Sequence, residues 1–230
     1  MSETTVDTSE ETEVVDEERL DEVAETADAG GAAGAAHDTS TGISNNKLAM
    51  WVFLASDCLL FGALISTYLL LRHRTPIDGS DPGPGPEDVF DIPFTSVSSF
   101  VLLMSSLTMA LAVGAIHRGA MRRCQTWLIS TALLGSIFVA GQVYEFTAFY
   151  NEGLGFTTNL FASAFYSMTG FHGVHVTLGI VFLLALWVMS LRNKLGPDRA
   201  ETVEIFGLYW HFVDIVWILI FTIVYLVDAG

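Results

Sequence analysis

Six ionisable side chains sit inside long apolar runs of this 230-residue chain: Asp57, Glu145, His172, His175, His211 and Asp214. An Asp facing hydrocarbon costs about 2.5–3.5 kcal/mol on insertion scales, so each such group should face another helix or a wet cavity. Their spacing groups them. His172 and His175 are three residues apart, as are His211 and Asp214, and Gln142 stands three before Glu145. Residues three apart on a helix are neighbours. Trp210, Asp214 and Trp217 line an i, i+4, i+7 stripe. The pattern predicts a polar seam on at least three helices, with Asp57 on another.

Such a set supports three kinds of chemistry. The three histidines and the carboxylates are of ligand type for iron or copper. A di-iron bundle, however, needs Glu-x-x-His from each of two helices, and no Glu-x-x-His occurs in the apolar runs. His172 or His175 facing His211 is the one arrangement in which a haem is conceivable. Intramembrane carboxylates by default suggest a proton or ion path. Buried polar groups also serve structure, satisfying one another and holding helix register. The residue types weigh the last two readings equally and the metal reading well below them, so no metal site is expected.

The elements that must position these groups are membrane helices. About 20 apolar residues are needed to cross a core of about 30 Å. Five runs meet that length, roughly 49–71, 94–116, 126–148, 160–191 and 204–227. The expected fold class is therefore all-α, an integral membrane bundle of five transmembrane helices. The connection 72–93 carries five of the six prolines and should lie extended on the surface. Arg118, Arg122 and Arg123 follow the second run, and Arg192, Lys194 and Arg199 follow the fourth. With Lys47 before the first run, they place the N-terminus in the cytoplasm and the C-terminus outside. Only Arg72 and Arg74 occupy the other face. Small residues that let membrane helices approach are read at Ser106, Ala110 and Gly114, and at Gly170 and Gly173 beside His172. Tyr68, Tyr150 and Tyr225, with Trp51, Trp127 and Tyr209, are placed in the two interfacial belts. Cys58 falls within a run and Cys124 in a short connection, neither at metal-ligand spacing.

Composition explains the rest. The chain is 51% hydrophobic with a mean hydropathy of +0.49, yet its net charge is −16. The charge is segregated: residues 1–46 hold 13 of the 26 acidic residues and one basic residue, Arg19. Such a segment cannot bury enough apolar surface to offset its ordering entropy. The expected organisation is a disordered acidic cytoplasmic tail, 1–46, before a membrane domain, 47–230. The tail has no basic and apolar signal-peptide regions. The whole chain has two lysines, Lys47 and Lys194, an acidic balance suggestive of a salt-loving source. No GxGxxG, GxxxxGK[ST], HExxH or GxSxG occurs, and no basic patch suited to nucleic acid.

Four segments carry a resemblance. Thr169-Gly170-Phe171-His172-Gly173-Val174-His175-Val176, with Gly179, closely resembles the signature of cytochrome c oxidase subunit III. So does Tyr209-Trp210-His211-Phe212-Val213-Asp214-Ile215-Val216-Trp217. Ser56-Asp57-Cys58-Leu59-Leu60-Phe61 is similar to the matching segment of quinol oxidase subunit III, and Gln142-Val143-Tyr144-Glu145 sits where the family has its Gln and Glu. The segments follow the family's order over about 47–228. The acidic tail stands where the family's long form has two further helices. Asp57 replaces the Glu usual in the cytochrome c branch, which leans toward the quinol branch, while the Thr169–Gly173 segment leans the other way.

The resemblance implies an accessory subunit of a proton-pumping haem-copper oxygen reductase. By resemblance it carries no haem or copper, which belong to partner subunits. It binds the catalytic subunit I beside subunit II and possibly a small subunit, holds phospholipid, aids proton uptake and protects subunit I from turnover-linked inactivation. Gly170, Gly173, Gly179, Trp210 and Trp217 then form the helix-packing signature. Asp57 is expected to pair with His175, the partner the family favours, or alternatively with His211. Arg72, His73 and Arg74 are expected near lipid head groups. Two rival functions are the accessory subunit of a nitric oxide reductase and a stand-alone proton-coupled transporter. The transporter is disfavoured by the absence of internal repeats and broken spans.

Overall fold

The structure, a computed structural model, describes residues 44–72, 91–196 and 199–226. The acidic tail, His73, Arg74 and most of the proline-rich connection lie outside the described residues. The chain divides into two compact units, Met1–Ala49 and Met50–Gly230. Of the first, the described part is Ser44 and the opening of α1, where Ser44 Oγ accepts the Lys47 backbone N–H at 3.3 Å, a helix N-cap.

Five helices are long and apolar enough to span a membrane. They are α1 (Asn45–Leu71), α2 (Ile92–His117), α3 (Met121–Asn151), α4 (Leu160–Leu191) and α5 (Ala200–Phe221), the last continued by a π turn, Thr222–Leu226. Local chemistry sets their ends. Asp91 caps α2 by accepting the Phe94 N–H, with Pro93 in the first turn, where a missing N–H costs nothing. Asn159 caps α4 through the Ala162 N–H at 2.7 Å. Three C-termini share one device. Gly119 (φ 68°), Gly153 (φ 94°) and Asn193 (φ 54°) take the left-handed conformation. The following amides, of Ala120, Leu154 and Lys194, then bond back to Ala115, Phe149 and Met189 at 2.9–3.0 Å. This is the Schellman closure, open to Gly and Asn because other side chains strain there.

The helices run further than the apolar runs suggest. α3 begins at Met121, so Arg122, Arg123 and Cys124 belong to a helix rather than a connection, and Cys124 is buried. The link between α2 and α3 is only three residues. α5 starts at Ala200 because charged residues extend a helix beyond the hydrocarbon as readily as apolar ones.

α2, α3, α4 and α5 close a ring, each packed on the next and α5 back on α2, with neighbours antiparallel. The core is one cluster that includes Met109, Leu128, Phe138, Phe165, Val176, Trp210 and Trp217. α1 lies on the outside. Its buried residues are Leu54, Asp57, Phe61 and Tyr68, a single stripe. Through it α1 reaches α4 by ring contacts Phe61–His175 and Tyr68–Phe161, and Phe53 meets Tyr209 of α5.

Two readings of the helix surfaces are corrected. α2 does not pack through one face of Ser106, Ala110 and Gly114; of the three, Ser106 meets another helix, at His211 of α5. The buried stripe of α2 is Thr95, Ser99, Leu102, Ser105, Met109 and Ala112, and Ala110 is exposed. Tyr68, Tyr209 and Tyr225 are not belt residues. They are buried, at 0%, 5% and 1% exposure, because each hydroxyl or ring is used inside the protein. Trp51 and Tyr150 are exposed, as an interfacial residue should be.

Candidate functional site

The seam between α2 and α5 is built from indoles and serines. Trp217 donates its ring N–H to Ser99 Oγ at 2.8 Å, and Trp210 donates to Ser105 Oγ at 2.9 Å. Each serine passes its own proton to a helix carbonyl, Thr95 O and Leu102 O. Ser106 Oγ lies 2.6 Å from His211 Nδ1. His211 thus faces α2 and not Asp57. The Trp210 ring fills space that two glycines leave. A Cβ at Gly135 of α3 or Gly179 of α4 would come within 2.7 Å or 2.8 Å of it. Gly179 and Trp210 are therefore one packing unit, and Gly135 is the member the sequence reading missed.

Inside the ring, His172 is fully buried, stacked on Trp217 at 4.9 Å and edge-on to Phe138 at 5.9 Å. Neither ring nitrogen has a hydrogen bond among the described residues, nor does either carboxyl oxygen of Asp214. The Ser106 hydroxyl is the polar neighbour of Asp214, but its close contact is with His211. His172 and His175, three apart, serve different interfaces: one points into the core, the other toward α1. Among the described residues no three His, Cys, Asp or Glu side chains gather where they could hold a metal.

Glu145 sits where α2, α3 and α5 meet. The Thr95 hydroxyl donates to its Oε1, and Tyr225, carried on the π turn, donates to the same atom at 3.3 Å. Gln142, one turn earlier, donates Nε2 to the Thr169 carbonyl at 3.1 Å. Its carboxamide occupies the room that Gly173 lacks a side chain to fill, since a Cβ there would lie 2.9 Å from Oε1. Gly170 has no such role. A Cβ there would meet nothing within 4 Å, so this glycine does not bring helices of this chain together.

The remaining pair joins α1 to α4. His175 Nε2 lies 3.6 Å from Asp57 Oδ2. Phe61 packs edge-on against the His175 ring at 5.1 Å, and Tyr209 donates to the His175 carbonyl at 2.9 Å. The tautomer follows from the other nitrogen. His175 Nδ1 is 2.7 Å from the Phe171 carbonyl, an acceptor only, so Nδ1 carries hydrogen. Nε2 then faces a carboxyl oxygen, and the contact is attractive only if a proton is shared between them. Either the imidazole is cationic beside a carboxylate, or a neutral carboxyl points at a neutral ring. At 3.6 Å the contact is longer than a direct hydrogen bond. Arg72 closes α1, its backbone N–H bonded to Tyr68 O at 2.9 Å.

The signals for the missed residues were present. Thr95, Ser99 and Ser105 recur at helical spacing, which marks one polar stripe. Tyr225 could not have been paired with Glu145 from spacing, because a π turn shifts its direction away from the α-helical register.

Fold and site together define a multi-pass membrane bundle with a hydrogen-bonded core and a protonatable pair beneath a peripheral helix. The sequence profile described as "Cytochrome c oxidase subunit III" matches residues 26–229. The cytochrome c oxidase subunit 3 of Bacillus sp. (strain PS3) is 38% identical over 182 residues, covering 79% of this chain and 86% of that protein. A probable quinol oxidase subunit 3 of Staphylococcus saprophyticus is also 38% identical, covering 79% and 89%. The cytochrome bo(3) ubiquinol oxidase subunit 3 of Pseudomonas aeruginosa is 36% identical, covering 84% and 89%. The chain belongs to the cytochrome c oxidase subunit III family. It is an oxidase subunit and a multi-pass membrane protein. Relatives named for cytochrome c and for quinol match equally well, so overall likeness does not separate the donors.

Proposed function

We propose that this chain is a redox-silent accessory subunit of a proton-pumping oxygen reductase. It braces a haem- and copper-bearing catalytic subunit, holds phospholipid and feeds protons toward it. The N-terminus faces the cytoplasm, as the basic residues argue, and subunits I and II are its partners. The observation that carries the reading is the Asp57–His175 pair: two titratable groups 3.6 Å apart, where the peripheral helix α1 rests on the closed ring. A pair inside the ring would lock packing. A pair under a peripheral helix can also exchange protons.

The test is Asp57→Asn in the assembled oxidase. It keeps the shape and polarity and removes the titratable group. A proton antenna matters most where protons are scarce, so turnover should fall at alkaline pH and stay near the parent rate at acidic pH, with normal assembly. Failure to assemble would make the pair structural. An unchanged pH profile with normal assembly would remove the antenna role.

A further inference from the structure

A groove of about 300 Å³ opens on the outer face between α3 and α4, lined by residues that include Gln142, Val143, Phe146, Gly170, Val174 and Leu178. We propose that it receives a transmembrane helix of another subunit, one carrying a hydroxyl, indole or amide donor opposite Gln142. The proposal rests on the reading of the chain as an oxidase subunit.

The occupant follows from Gln142. This side chain is only 6% exposed. One hydrogen of its Nε2 goes to the Thr169 carbonyl, and no described residue donates to Oε1. The orientation is not arbitrary: a carbonyl acceptor must face the NH₂ end, so Oε1 is the end left over. Gln142 lies roughly 13 Å short of the end of α3. That helix is about 46 Å long at 1.5 Å per residue against a hydrocarbon core of about 30 Å. The oxygen is therefore at hydrocarbon depth, where water is scarce and an acceptor without a donor is costly. An acyl chain has no donor to give. A neighbouring helix does, and hydrogen bonds of this kind join helices within membranes.

Gly170 points the same way independently. Gly in a helix interior is unfavourable, and no described residue comes near enough to need its missing side chain. Gly173 differs, since it houses the Gln142 amide. Beside them, Val143 and Val174 are 61% and 56% exposed, walls without a neighbour. A bare helix floor, apolar walls and one acceptor without a described donor match a helix crossing at close range.

The test uses the intact complex in native membranes, with a photoreactive benzophenone amino acid at Val174. Irradiation should attach this chain to another subunit of the haem-bearing complex, identified by peptide mapping. Attachment only to phospholipid, or only to a second copy of this chain, would overturn the proposal. Gly170→Leu fills the groove without touching this chain's own packing. It should lower the amount of this chain retained in the detergent-purified complex at least tenfold. Gly62→Leu, at an equally open position on α1, should leave retention unchanged. Retention of the Gly170→Leu chain at the Gly62→Leu level would also overturn the proposal. If the parent chain is retained by no haem-bearing complex at all, it is the oxidase reading that fails.

Discussion

Trp210 shows how much one side chain can organise in a membrane protein. Its ring occupies the space of two absent side chains, and its N–H is bonded across the seam. Gly179→Leu forces atoms into that ring, and overpacking of this kind costs about 1–3 kcal/mol. Thermal unfolding in detergent should show it as a lower midpoint. Trp210→Phe deletes the hydrogen bond, a loss of about 0.6–1.5 kcal/mol, and also trims the ring carbons that face Gly135 and Gly179, so its midpoint should fall as well. An unchanged midpoint in Gly179→Leu would mean that packing around the ring is not what the glycines provide. At this scale the sequence was informative about which residues matter and weak on whom they meet. Six polar groups, four of them buried, were legible because ionisable residues inside apolar runs need an explanation. Their partners were not, because partners on other helices depend on rotation about each axis. Ser106 was placed one position off the buried stripe of α2 for that reason, yet it still meets His211.

Helix ends were legible only where a residue type acts locally. Gly119 and Gly153 mark C-termini by a rule that operates within six residues. The N-terminal reach of α3 and α5 was not visible, since hydropathy reports the hydrocarbon and not the helix. α1 illustrates the converse. Its apolar run was plain, but its peripheral seat, resting on Leu54, Asp57, Phe61 and Tyr68, depends on the other four helices closing without it. Two positions on α1 should therefore behave oppositely. Tyr68→Ala removes a ring with 0% exposure and should cost about 3 kcal/mol, the scale of a buried aromatic truncation. Leu59→Ala alters a residue that is 78% exposed and should fall within about 0.5 kcal/mol of the parent. Denaturant midpoints of the two variants in detergent decide this.

Unlike a soluble protein, the helical bundle is apolar on its outside as well as in its core. Among the described residues the core is apolar, with a few serines, threonines, carboxyls and His172 set into it, and leucines, valines and phenylalanines also face outward. That arrangement is what five helices in hydrocarbon require, and it leaves the outer surface to lipid and to neighbouring subunits. Lipid should be retained where a basic side chain closes a span. Native mass spectrometry of the purified complex should find bound phospholipid, and Arg72→Ala should reduce it, because a guanidinium pairs well with phosphate at the interface. Unchanged lipid content would place the head groups elsewhere.

The central claim is that this chain serves an oxygen reductase without carrying redox chemistry itself. The direct measurement is purification through a tag on this chain, with optical spectra and metal analysis of the complex and of the chain separated from it. The account predicts a haem-bearing larger subunit and oxygen-reducing activity in the complex, and less than a tenth of an equivalent of iron or copper on the separated chain. A chain that purifies without any haem protein, or that keeps one iron or copper of its own, would contradict it.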